Sequence, residues 1–259
     1  MANIRIGLSL PYNNLEELLT LQNVPEEFEL LEFSGEIAAD AAAMRSQLRL
    51  LDEFEFFNFR NLMSPSLTSL LSDENPAIIN EYKKQLRQLM SCAHSCNAEY
   101  FSIDPDWEML AQDDVKRRVF DDILRSTAGD REYYQQTLAL AVRMPGSGAI
   151  PALESISLLH KLANYRVKLA LDINPHELLK SNVNWPDLLR HFRFDTACIR
   201  FCYSSELGNK LLYQHIEPVV EAIKCFRQDI DFYIAPSGRA DLEELATTVR
   251  KINLESDAR

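Results

Sequence analysis

The sequence predicts one α/β domain, a (β/α)₈ TIM barrel, over residues 1–259. Three observations lead there: eight short apolar runs, helical stripes in the intervals between them, and no Gly-rich dinucleotide turn after the first run. The composition, 46% apolar, 9% aromatic and 25% charged, supplies a full core and excludes the disordered, collagen-like and disulfide-scaffold classes.

The first strand is expected at Ile4–Leu10, running into Pro11-Tyr12-Asn13-Asn14. Strands two and three follow at Phe28–Phe33 and Phe54–Phe59, separated by the stripe Ile37, Ala41, Met44 and Leu48. Behind Pro76, which suits a first helical turn, Ile79, Tyr82, Leu86, Leu89, Ala93 and Cys96 recur at spacings of three and four. Strands four and five are expected at Tyr100–Ile103 and Thr137–Arg143, with Ser126–Asp130 between them read as an internal loop. Leu153, Ile156, Leu159 and Ala163 form the next stripe, ahead of strand six at Val167–Asp172. Strand seven is expected at Ala197–Tyr203 and strand eight at Asp231–Ile234. Their helices carry Leu212, Ile216, Val219 and Ile223, then Leu242, Leu245, Val249 and Ile252. Several runs are continuously apolar, as strands covered on both faces are. An open doubly wound sheet is the alternative, and the missing Gly-rich fingerprint argues against it.

A net charge of −12 with no Lys/Arg-rich block argues against nucleic-acid binding. Met1–Gly7 lacks the features of a secretory leader, and no apolar run reaches the roughly 20 residues needed to span a bilayer. Five cysteines, an odd number, fit reduced thiols in the cytoplasm. Cys92/Cys96 and Cys198/Cys202 are spaced more widely than zinc knuckles and read as core residues. Neither a cofactor nor a membrane is expected, and the oligomeric state stays open, a homodimer included.

A barrel carries its chemistry at the C-terminal ends of its strands. Those ends offer Ser9, Glu32, Ser34, Asn58, Arg60, Ser102, Asp104, Trp107, Arg143, Asp172, Arg200, Cys202, Tyr203, Ser237 and Arg239. Four of them are arginines, Arg60, Arg143, Arg200 and Arg239, whose guanidinium forks suit carboxylate or phosphate oxygens. The alternative is that each arginine pairs with a nearby acid such as Glu32, Asp104 or Asp172. Asp172, directly after Leu169-Ala170-Leu171, is the leading candidate for proton transfer, with His176 four residues on. Asn58, Asp104 and Tyr203 complete the expected ligand-binding set, while Lys168 falls at the opposite end of its strand.

Leu169-Ala170-Leu171-Asp172 with His176, on an eight-strand layout, resembles the xylose isomerase-like TIM barrels, which include sugar phosphate isomerases/epimerases and endonuclease IV relatives. The resemblance implies a divalent metal held by a glutamate ending strand five, an Asp-x-x-His ending strand six, a histidine or aspartate on strand seven and an acid on strand eight. Only Asp172 matches that pattern. His176 is one position too far, and strand five has Arg143 where the glutamate would stand. Strand seven has Arg200, and strand eight has Ala235-Pro236-Ser237. Arginine offers a metal no lone pair. The expectation is therefore a barrel without the metal, in which arginines receive a small anionic, sugar-like molecule that is phosphorylated or carboxylated. Its chemistry would be that of an isomerase, epimerase or lyase; the competing expectation is an inactive barrel serving as a ligand-binding or protein-interaction module.

Overall fold

In a computed structural model, the described residues are 4–11, 28–34, 57–60, 75–144, 166–174, 189, 192, 195–204, 214, 216, 219–221, 223, 230–237 and 245–250. Eight parallel strands close into a barrel in sequence order. They are β1 (Ile4–Pro11), β2 (Leu30–Ser34), β3 (Phe57–Arg60) and β4 (Tyr100–Ile103). β5 (Thr137–Met144), β6 (Val167–Ile173), β7 (Thr196–Ser204) and β8 (Ile230–Ser237) follow. β8 pairs back onto β1, Ile4 opposite Ile230, so the sheet has no open edge.

The apolar strand runs serve two packing zones, as strands covered on both faces must. Outward residues such as Leu8, Leu31, Leu140, Leu171, Ile199 and Phe232 are buried against the helical shell. Inward, Leu30, Tyr100, Ala139, Ala170, Cys198 and Tyr233 form an enclosed apolar layer across the barrel. Gly7 on β1 makes room for that layer: a Cβ there would lie 2.7 Å from the Leu30 Cβ and carbonyl oxygen and 2.8 Å from Tyr233 Cε1.

Helix α1 (Pro76–Ser95) forms where the stripe predicts it, with Pro76 in its first turn and Asn75 Oδ1 accepting from the Ala77 amide. Its buried face contains Tyr82, Leu86, Leu89 and Ala93, and Cys92 and Cys96 are buried as thiols. Ile216, Val219 and Ile223, and likewise Leu245 and Val249, are helical and buried. The stripes 37–48 and 153–163 lie outside the described residues.

One interval differs from expectation. Three helices, α2 (Trp107–Gln112), α3 (Asp114–Ser126) and α4 (Ala128–Tyr133), occupy the span between β4 and β5. The Ser126–Asp130 stretch is therefore a helix junction, not a loop. Its turn-forming residues work locally. Thr127 donates to the Ile123 carbonyl and accepts from the enclosed Arg131, which also bonds the Leu124 carbonyl at the end of α3.

No helix among the described residues is long and apolar enough to cross a membrane.

Candidate functional site

Alternation along a strand sends every second residue into the barrel, and on the upper turns those residues are polar. Above the apolar layer, β7 points Arg200 inward toward side chains from β2, β4 and β6. Arg200 Nε donates to Glu32 Oε1 at 2.7 Å and Oε2 at 2.9 Å, and Nη2 to Glu32 Oε2 at 2.6 Å. Nη2 also reaches Ser102 Oγ at 2.6 Å, and Nη1 reaches Asp172 Oδ1 at 3.1 Å. From β1, Ser9 Oγ donates to Glu32 Oε1 at 2.6 Å. The side chains of Arg200 and Glu32 are 0% exposed and that of Asp172 is 4%.

Such a cluster is stable only if its charges meet inside it, because an unmatched buried charge is costly. One guanidinium faces two carboxylates. Burial alone would lower Arg200, but the negative groups around it, Glu32 and Asp172 among them, outweigh that and hold it well above its ordinary value. It therefore remains a fixed cation at the centre of the barrel.

This donor set does not fit a resident divalent ion. A divalent cation needs several free oxygen or nitrogen lone pairs. Here the carboxylates of Glu32 and Asp172 already accept N–H groups from Arg200. At the strand-five position where the resemblance implies a glutamate stands Arg143, which brings a second positive charge.

Arg143 is directly opposite Asp172 in the β5–β6 register, yet its side chain is 76% exposed. It makes a long pair with Asp104 Oδ2 at 3.3 Å, the acid being about one-quarter exposed. An ion pair so open to water contributes little and exchanges readily. Beside it, Trp107 is tucked in, its indole N–H bonded to the Ala141 carbonyl at 2.6 Å.

The expected site residues thus separate by depth. Arg143 and Asp104 stand at the mouth, and Asp172 lies just beneath them, enclosed. Arg200 was expected to meet a ligand; the structure places it inside, its guanidinium engaged by Glu32, Asp172 and Ser102. Asn58 also lies within the barrel instead of at the rim. Its Oδ1 accepts the Glu99 and Tyr100 amides at 3.0 and 3.1 Å, and its Nδ2 donates to the Tyr233 hydroxyl at 2.9 Å. The backbones of Arg60 and Tyr203 belong to β3 and β7, but their side chains, like His176 and Arg239 altogether, lie outside the described residues. Glu32 and Ser102 hold the cluster together although neither was chosen as a site residue. The available signal was an acid within the apolar run Leu30-Leu31-Glu32-Phe33, which needs a buried partner.

A second polar group closes the N-terminal end of the barrel. Arg5 Nε donates to Asp231 Oδ1 at 2.8 Å, and its Nη2 lies 2.6 Å from Glu99 Oε2. Burial pushes the Asp231 carboxyl up to about 7 against the opposing pull of Arg5. Lys168 lines a cavity of about 140 Å³ there with Arg5 and Asp231, at the end opposite Arg143.

Neither a family model nor a curated relative matches this sequence. Solved structures do match its fold over almost the whole chain. The E. coli 3-keto-D-glucoside 4-epimerase superposes with a TM-score of 0.69 at 10% identity, covering 97% of this chain and 100% of its own. An L-ribulose 3-epimerase gives 0.69 at 15% identity, covering 100% and 98%. A family 2 AP endonuclease from Brucella melitensis gives 0.63 at 16% identity, covering 96% and 99%. The chain therefore has the fold of the xylose isomerase-like TIM barrels.

Proposed function

We propose that this barrel, which shares the fold of sugar epimerases, binds a small sugar-like anion at its C-terminal mouth without a divalent metal. The observation that carries the reading is the contrast between the two arginines that flank Asp172, Arg143 on β5 and Arg200 on β7. Arg200 is enclosed and already engaged, whereas Arg143 is open and, among the described residues, pairs with Asp104 at 3.3 Å. A phosphate or carboxylate arriving at the mouth offers Arg143 a bidentate partner in place of that long contact. Beneath it, Asp172, Arg200 and Glu32 form an enclosed cluster bonded internally through the Arg200 guanidinium.

The test is thermal unfolding and calorimetry with ketose phosphates, sugar acids and the corresponding neutral ketoses, all in EDTA. The expected result is a rise of about 5–10 °C for an anionic sugar at about 100 times its Kd. Arg143→Ala should weaken that binding by roughly 10- to 100-fold, the worth of a charged hydrogen-bonded contact. Neutral sugars binding as well as anionic ones, or Arg143→Ala binding unimpaired, would refute the anion assignment. A need for added Mn²⁺ would refute its metal independence.

A second reading, an inactive binding module, is favoured by one feature: Asp172, the expected proton carrier, is enclosed and bonded to Arg200. Proton NMR in D₂O decides between them. Deuterium entering a ketose next to its carbonyl, and lost in Asp172→Asn, marks an isomerase or epimerase; binding without exchange marks the module.

A further inference from the structure

We infer that Arg200 is a built-in replacement for a divalent cation, and that removing its guanidinium opens a latent site for a hard, oxygen-seeking ion such as Ca²⁺ or Mn²⁺. The inference rests on the metal-independent reading above and adds what keeps the ion out. Three strands aim oxygen atoms at one guanidinium: both Glu32 oxygens, Asp172 Oδ1 and Ser102 Oγ, at 2.6–3.1 Å. Ser9 fixes the Glu32 carboxylate from a fourth strand at 2.6 Å. Two carboxylates and a hydroxyl, all enclosed, are the donor chemistry that hard divalent ions take, and a carboxylate that grips a guanidinium with both oxygens can also chelate an ion. The charges agree. Arg200 balances one of two carboxylates, whereas a divalent ion would balance both. Ca²⁺, with its flexible geometry and contacts of about 2.3–2.6 Å, suits such an improvised cage better than Mg²⁺, which demands a near-ideal octahedron.

The experiment uses full-length wild type, Arg200→Ala, Arg200→His and the double variant Arg200→Ala/Glu32→Gln. Each is stripped with EDTA and then equilibrated with CaCl₂ or MnCl₂. Bound ion is measured by elemental analysis after gel filtration, and thermal midpoints are recorded with and without ion. The expected result is no stoichiometric ion and no shift for wild type. At least one single variant should hold about one ion per chain and gain several degrees, and the double variant should lose that response. A folded Arg200→Ala and Arg200→His that both ignore Ca²⁺ and Mn²⁺ overturn the inference. So does failure of either ion to restore folding where both variants emerge unfolded, and so does stoichiometric ion in wild type. The readout does not involve sugar: an ion-binding Arg200→Ala beside a wild type blind to every anionic sugar would sink the proposed function and leave this inference standing.

Discussion

Replacing Arg200 with Met, with EDTA present throughout, leaves Glu32 and Asp172 facing each other in a sealed interior. Breaking a buried ion pair by removing one partner costs about 3–5 kcal/mol, because a charge stays behind without its partner. Two such charges remain here, at 0% and 4% exposure, so the upper half of that range is expected at pH 7. Against a typical stability of about 5–15 kcal/mol, this removes about a quarter or more of what holds the barrel together. Glu32→Gln alone should cost about 2–4 kcal/mol: its amide nitrogen would turn a donor toward a guanidinium that has only donors. The double variant Arg200→Met/Glu32→Gln should fall short of the sum by about 2 kcal/mol or more, since each change removes the group stranded by the other. Urea unfolding followed by far-ultraviolet circular dichroism measures all four corners of the cycle. Additivity within about 0.5 kcal/mol, or an Arg200→Met within about 1 kcal/mol of wild type, would refute the picture of one interlocked charge cluster.

Asp231 provides a pH test at the other end of the barrel. Burial places its folded pKa at about 7, above the ordinary value of about 3.9, so the folded state binds the proton more tightly. This group's stabilising contribution is present at acid pH and lost as pH rises toward 7. Relative to Asp231→Asn, wild type should therefore lose about 1 kcal/mol per unit between about pH 5 and pH 7; parallel stability curves for the two proteins would contradict this. Gly7→Ala should destabilise by about 1–3 kcal/mol, because the new methyl meets the Leu30 backbone at 2.7 Å; an unchanged urea midpoint would show that β1 and β2 can part. Burial pushes the Cys198 thiol up to about 12, so at pH 8 it should resist a disulfide reagent until urea unfolds the chain. Mass spectrometry should find Cys202, which is partly exposed, labelled before Cys198, and equal rates would reject the enclosed layer around Cys198.

The barrel was legible because its strands are covered on both faces. Runs such as Leu138–Val142 and Leu169–Leu171 leave no polar face for water, and their count and spacing suit one closed sheet. Boundaries were less so. Strand two is expected from Phe28, whereas β2 begins at Leu30 and runs on to Ser34. The junction at Thr127 also misled: Ser, Thr, Gly and Asp signal a turn, but the same hydroxyl that favours turns here bonds back to Ile123 and receives Arg131. Of the candidate site, the composition was visible and the depth was not. Ser9, Glu32, Ser102, Asp172 and Arg200 all stand among the longer list of polar strand ends, together with the alternative that arginines pair with local acids. Nothing local to Arg200 showed that its partners would come from β2, β4 and β6.

Depth is set by barrel shear, a property of register that no single strand carries. Strands in a closed barrel tilt by about 35–45°, so residues hydrogen-bonded side by side step down the axis from one strand to the next. The row Arg143, Asp172, Arg200, Tyr233 is paired in this way across β5 to β8. Side-chain exposure along its first three members falls from 76% to 4% to 0%, and Tyr233 is fully buried. On the far side, Ser9, Glu32 and Asn58 form a matching row that ends deep, at Asp231 and Tyr233. Where the two ramps reach the same height, Arg200 meets Glu32. One strand earlier the guanidinium would displace Asp172, one of its two carboxylates, beside Arg143, and one strand later it would have to share the apolar layer with Tyr233. Only at this step does an arginine gain enclosure and two carboxylates together. A positive charge in the middle of the barrel and an open cation at its mouth are thus consequences of the same tilt.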